Sequence, residues 1–203
     1  MEELKNVIKT LFHIQNQIKV LTETLNVNYK SENIHPDVKY GSLPNYSINF
    51  QNSITAILSN YHIILLNSFL DEYHKHFNDK YLGIEFEEAI KELKKRNGNY
   101  MKRINVWTDI KSYRNHIAAH NFRNNNKSLF SISNEIPSYK IPNTISEKNL
   151  VCGILELMCR NIIEAFPAIC YHLNPNEIML DWFKINSENV DVQLELNFLL
   201  DRN

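Results

Sequence analysis

The chain has 203 residues, a formal net charge of −1, 43% hydrophobic residues, four glycines, six prolines and three cysteines. That length fits one domain with a sizeable core, and so few glycines and prolines argue against a turn-dense all-β fold. No uninterrupted apolar run is long enough to span a bilayer. The start, Met1-Glu2-Glu3-Leu4-Lys5, alternates charge and lacks a signal peptide's apolar stretch, so a cytosolic protein is expected.

Residues 2–25 carry Leu4, Val7, Ile8, Leu11, Ile14, Ile18, Leu21 and Leu25 at steps of three and four, which predicts an amphipathic helix with one buried stripe. A polar linker, 26–44, follows, with His35-Pro36-Asp37 and Gly41 as turn formers. A second helix is expected over about 46–77. It is apolar through Ile54, Ile57, Leu58, Tyr61, Ile64, Leu65 and Phe69, and polar at Asp71-Glu72-Tyr73-His74-Lys75-His76. His62, alone in this apolar run, reads as a hydrogen-bonded core residue rather than a ligand.

A shorter helix, 86–96, is expected to stop at Asn97-Gly98-Asn99, a C-cap-like break. The next amphipathic segment predicts a helix from about 103 to 122, then a loop at Asn124-Asn125-Asn126 and an irregular crossing over 131–146 with Pro137 and Pro142. Ser146-Glu147 is expected to cap a last long helix, 148–173, apolar enough to be central, which Pro167 should kink or shorten. Cys152, Cys159 and Cys170 return to roughly one face of that helix. Their odd number without a Cys-x-x-Cys pair is a poor disulfide or zinc signature, and they read as buried small hydrophobes. In the tail, Val190, Val192, Leu194, Leu196 and Phe198 alternate with polar residues, the period of a strand with no evident partner. The expected fold is all-α, a bundle of about five helices over 1–175. The extension 176–203 would pack on the bundle or on a dimer mate.

Chemistry concentrates in Tyr113-Arg114-Asn115-His116-Ile117-Ala118-Ala119-His120-Asn121. Arginine can hold a phosphate at two points, and histidine exchanges protons near neutral pH. Between Lys94 and Asn134 there are nine Lys or Arg (Lys94, Lys95, Arg96, Lys102, Arg103, Lys111, Arg114, Arg123, Lys127) against one acid, Asp109. A local net of +8 in a chain of −1 leaves −9 for the remainder, which points to a polyanionic partner meeting one region of the surface. On a straight helix at ~100° per residue, Arg114 falls in the apolar stripe of Trp107, Ile110 and Ala118. An arginine there is costly unless it is paired or lines a wet cleft. His120 would sit about 120° from it, so a kink or a second copy of the helix would be needed to bring the two together.

With this motif the chain resembles the HEPN superfamily, whose members carry Arg-x4–6-His on a late helix of a small α-bundle. Arg114-Asn115-His116-Ile117-Ala118-Ala119-His120 fits with five intervening residues, and the Arg-Asn…Ala-His flavour looks closest to abortive-infection-type HEPN proteins. The resemblance implies an endoribonuclease that needs no metal or other cofactor and works as a homodimer in antiviral defence or as a toxin. RNA would be its substrate, an antitoxin or regulatory protein its partner, and no membrane would be involved. Carried over, Arg114 would hold the scissile phosphate, His120 would move a proton, and Asn115 would orient phosphate or imidazole. His116, Tyr113, Lys111 and Arg123 would be auxiliary or RNA-binding, and Asp71 or Glu72 would supply an acid from an adjacent helix. One departure is Phe122, two residues after the motif histidine, where some HEPN toxins carry a tyrosine that an antitoxin modifies; control by that route is not expected here.

Three other readings stay open. Arg114 as a structural arginine salt-bridged to Asp71 or Glu72 is ordinary physics, as is His120 interacting with a helix C-terminus. His116 and His120 at i and i+4 share a face as metal ligands do, and His74 and His76 with Asp71 or Glu72 could add ligands for a metal-dependent hydrolase. A HEPN-like module that binds RNA or protein without turnover would use the same arginine.

Overall fold

All eight residues of the first apolar stripe enter the core of the computed structural model, whose described residues are 1–30, 38–40, 43–48, 50–118, 123–124, 127–128 and 138–173. The helix they form, α1 (Glu2–Lys30), runs on past Leu25 into the expected linker. The rest of that linker holds a short antiparallel pair, β1 (Val38–Tyr40) with β2 (Leu43–Ile48). Consequently α2 (Phe50–Lys75) begins later than its hydropathy suggests. It packs along α1, and Asn28 ties the two by donating to the Thr55 hydroxyl at 2.6 Å.

Only part of the apolar centre of α2 is core. Leu65 and Phe69 are buried beside Ile63, Leu66, Tyr73 and Phe77, whereas Ile57 and Tyr61 remain exposed. Full burial of such side chains is worth ~1.5–3 kcal/mol each, so the C-terminal half of α2 anchors the bundle. Among the described residues α2 is also the one helix long and apolar enough, by length and composition, to cross a membrane.

A short helix α3 (Asp79–Leu82) leads through Gly83, at φ +107°, into a single 3-10 turn (Ile84–Phe86). Next come α4 (Glu87–Arg96) and α5 (Gly98–Ile104). The break at Asn97-Gly98-Asn99 ends α4 at Arg96 as expected, and it is also a joint, because α5 starts at once at Gly98. Asn97 is fully buried at φ −79°, its amide donating to the Tyr73 hydroxyl at 3.0 Å and its carbonyl accepting from Asn161 at 2.7 Å. Those two long-range partners hold the joint in place.

The expected continuous helix over 103–122 is not formed. Helix α5 ends at Ile104, the chain turns through 105–109, and α6 (Ile110–Tyr113) passes directly into a π-helical turn, Arg114–Ala118. A second short antiparallel pair, β3 (Arg123–Asn124) with β4 (Lys127–Ser128), follows. The described part of the crossing, 138–144, is irregular as expected.

The last long helix, α7 (Ile145–Ala165), starts three residues early because its cap is Thr144. The Thr144 hydroxyl accepts from the Glu147 amide at 3.2 Å, and the Glu147 carboxylate accepts from the Thr144 amide at 2.9 Å, a capping box. Val151, Ile154, Leu155, Met158, Cys159 and Ile162 are buried, so α7 is central and packs against α1 and α4. Pro167 ends it as expected, standing at the first turn of α8 (Pro167–Tyr171). The cysteines are free thiols. Cys159 is buried and its thiol is pushed up by burial, while Cys152 and Cys170 are only half-buried. The bundle is thus all-α, with its two strand pairs set in connections; the tail 176–203 and its expected strand lie outside the described residues.

His62 corrects another expectation. It is buried without trace of exposure, yet neither ring nitrogen has a hydrogen-bond partner. Burial, and then the charge of Lys148, lower its pKa from 6.5 to about 4, so the ring is neutral. Lys148 is itself buried, and its ammonium donates to the Asn143 carbonyl at 2.7 Å.

Candidate functional site

On α2, Asn60, Asn67, Asp71 and His74 follow one another at steps of seven, four and three. At ~100° per residue these steps keep all four within about 60° of one line along the helix. They form a polar stripe on the helix against which α6 and the π-turn pack. The Tyr113 hydroxyl donates to Asn60 Oδ1 at 2.6 Å. Burial, then the neighbouring Tyr139, raise the pKa of that hydroxyl, so it stays protonated as a donor. The edge of the Tyr139 ring meets Tyr113 at 5.2 Å between centroids.

Further along the stripe, Asn67 donates to Asp71 Oδ2 at 3.0 Å and Lys75 pairs with Oδ1 at 3.1 Å. Burial alone would raise the Asp71 carboxyl. The hydrogen bond and charge of Lys75, the Asn67 bond and the field of Arg114 outweigh it and hold the group below the ordinary carboxylate range.

Arg114 is half-buried, and its Nη1 donates to Asn115 Oδ1 at 2.8 Å. Among the described residues it forms no ion pair with Asp71 or Glu72, which are taken by Lys75 and His76 respectively. The structural salt bridge weighed as an alternative is therefore not what holds Arg114. The guanidinium feels Asp71 at longer range, and among the described residues Nη1 to Asn115 is its one hydrogen bond.

A π-turn carries more residues per turn than an α-helix, and such turns recur at functional sites. Arg114, Asn115 and His116 all lie in it. His116 Nδ1 stands 3.3 Å from the Ser112 hydroxyl, and Lys111 is exposed. His120, Phe122 and the side chain of Arg123 lie outside the described residues, so their placement relative to Arg114 is not part of this geometry.

The base of the motif is clasped from across the chain. Asp109 N donates to the Lys140 carbonyl at 3.2 Å, and Lys140 N donates to Asp109 Oδ2 at 2.8 Å. This residue pair, thirty-one positions apart, uses the carboxylate that would otherwise cap α6. The α6 start consequently has no side-chain cap.

The basic excess divides by role. Lys95, Lys102 and Lys111 are exposed, and Arg96 pairs with Glu164 at 2.8 Å. Lys94 lies 5.6 Å from the Tyr73 ring centroid, and Arg103 stacks at 4.3 Å over Trp107. Trp107 in turn donates to Glu147 at 3.3 Å. Arg103 thus serves partly as packing. Among the described residues no three His, Cys, Asp or Glu side chains are grouped to hold a metal ion, so His74 and His76 do not join Asp71 or Glu72 in one.

Sequence reasoning singled out Asp71 but missed Asn60 and Asn67. Their eleven- and four-residue spacing to Asp71 was a readable signal, hidden by the apolar run around it. Comparison with family models, with characterised proteins and with solved structures finds no match to this chain.

Proposed function

We propose that this protein is a HEPN-type endoribonuclease that cuts RNA by attack of a ribose 2′-hydroxyl on the adjacent phosphorus. The P–O5′ bond breaks, leaving a 2′,3′-cyclic phosphate and a 5′-hydroxyl. One group must take the 2′ proton and one must give a proton to the departing 5′ oxygen. Arg114 neutralises the charge that grows on the non-bridging oxygens. His120 moves one of the protons, and a homodimer supplies a second copy of the motif for the other. The reading includes a cytosolic role in defence or growth inhibition, restrained by an antitoxin or similar protein, without a metal or other cofactor.

The observation that carries this reading is Arg114, with no ion-pair partner among the described residues, presented on a π-turn beside an α2 stripe of amides and a carboxylate. Asp71, held ionised, is a weak base. Its part is to accept a hydrogen bond from a ribose hydroxyl, and the proton chemistry belongs to the imidazole.

Purified protein incubated with RNA in EDTA tests the proposal. Wild type should cleave; Arg114→Ala should lose ~10²–10³-fold in rate and bind RNA more weakly. His120→Ala should lose ~10²–10⁴-fold while keeping RNA affinity. Wild-type cleavage by Arg114→Ala would rule the site out.

A second reading, an RNA-binding module without turnover, is favoured by one feature. Among the described residues the stripe's one imidazole, His74, stands a turn beyond Asp71, and the imidazole in the π-turn with Arg114 is His116, whose Nδ1 faces Ser112. Wild-type protein that binds RNA and leaves it intact under every condition would select this reading.

A further inference from the structure

The α2 stripe does not end at Asp71. One helical turn on, His74 is exposed, the edge of its ring against Tyr73 at 5.8 Å, and Lys94 reaches the same Tyr73 ring from α4 at 5.6 Å. Partial burial and then Lys94 lower the His74 pKa, with Asp71 opposing, so Asp71, His74 and Lys94 share one neighbourhood. From Arg114 outward the groups therefore run cation, carboxylate, imidazole, cation, with Lys75 also paired to the carboxylate.

Resting on the ribonuclease reading above, we propose that His74 and Lys94 form a second backbone subsite, which receives the phosphate next to the one held at Arg114. The alternation fits the backbone of a single RNA strand. Phosphate needs a cation, the ribose 2′-hydroxyl between two phosphates needs an acceptor such as Asp71, and the next phosphate needs a cation again. Neutral His74 would donate a hydrogen bond to that second phosphate, and Lys94 would supply its counter-charge. A duplex would present its phosphates across a groove; a subsite made by Asp71 and His74 on one turn of α2 and one residue of α4 suits an unpaired strand. Lys95 and Lys102, both exposed, stand on the same basic segment for whatever strand continues outward.

The test is binding of oligouridylates with their 2′-hydroxyls intact, measured in the non-cleaving His120→Ala background, so that wild type below means every other position unchanged. The dimer has one phosphate and the trimer two. Wild type should bind the trimer more tightly than the dimer. His74→Gln should cancel about five-fold of that gain, and Lys94→Gln should flatten the trimer's log–log salt slope by ~0.7. In both variants dimer binding should stay at the wild-type level, with melting temperatures checked to confirm folding. Arg114→Ala should weaken dimer and trimer alike. If both variants keep the full wild-type gain, the subsite is wrong while the ribonuclease reading stands. If wild type binds neither oligonucleotide nor longer RNA, both fall together.

Discussion

A neutral imidazole sealed in an apolar interior makes a protein sensitive to acid. Unfolded, His62 titrates near its ordinary 6.5; folded, it titrates at about 4. Between these values the unfolded chain binds more protons, so stability is complete above pH 6.5 and falls as the pH drops through that window. The loss should approach ~3 kcal/mol near pH 4. Melting curves across this range should show it, and His62→Leu should remove most of the slope. Because both ring nitrogens lack partners, the same substitution should leave stability at pH 7 equal or higher. An unchanged acid slope in the variant would assign the sensitivity to other groups. Burial of His62 was legible, since Leu58, Leu65 and Leu66, three or four residues away on the helix, are apolar. That it would go unpartnered depended on what α7 brings opposite it, namely Lys148, and no local pattern reports that.

Helix boundaries in this protein are set by distant residues as often as by local ones. At the start of α7 the signal is local: Thr144 and Glu147 satisfy each other, and the expected cap fell only two residues away. Thr144→Ala should cost ~1 kcal/mol, seen as a lowered melting temperature. In the middle of α7, a methyl group at Gly153 would meet nothing within 4 Å. Gly153→Ala should therefore stabilise the protein by ~0.5–1 kcal/mol, and a loss instead would place something against that face. The motif segment shows the opposite case. Its amphipathic pattern through Trp107, Ile110 and Arg114 suits one long helix, yet the chain turns at 105–109, where Asp109 is bound to Lys140 instead. Asn97-Gly98-Asn99 stops α4 where its pattern says, but the helix that follows at once was not legible, nor that Tyr73 and Asn161 take both ends of the Asn97 amide and hold the joint. The α1 stripe was legible throughout because burial of a single face needs only its own periodicity.

At the scale of the molecule, the all-α architecture follows from period and composition, and the polar stripe of α2 follows from which helix face the motif covers. Arg114, Asn115 and Asp71 were legible as chemistry, since a cation, an amide and an acid stand out from apolar surroundings. Asn60 and Asn67 were not, because amides in a hydrophobic helix acquire meaning only when Tyr113 and Asp71 stand against them. Charge is divided as well as segregated. Arg103 lies over an indole and Arg96 meets a carboxylate, so a polyanion would meet fewer cations than the composition implies. On the proposed ribonuclease reading, RNA affinity should accordingly fall with salt at a slope well short of nine ionic contacts, each of which contributes ~0.7 for a single strand.

The clasp between Asp109 and Lys140 has a use of its own. Each residue's main-chain amide donates to the other residue, so parting of the two segments frees both amides, and the two should exchange deuterium together whenever the clasp opens. Asp109 lies five residues before Arg114 and Lys140 five before Ile145, the first residue of α7. A slowing of that paired exchange when an oligonucleotide is added would signal occupancy of the arginine without requiring a single bond to be cut.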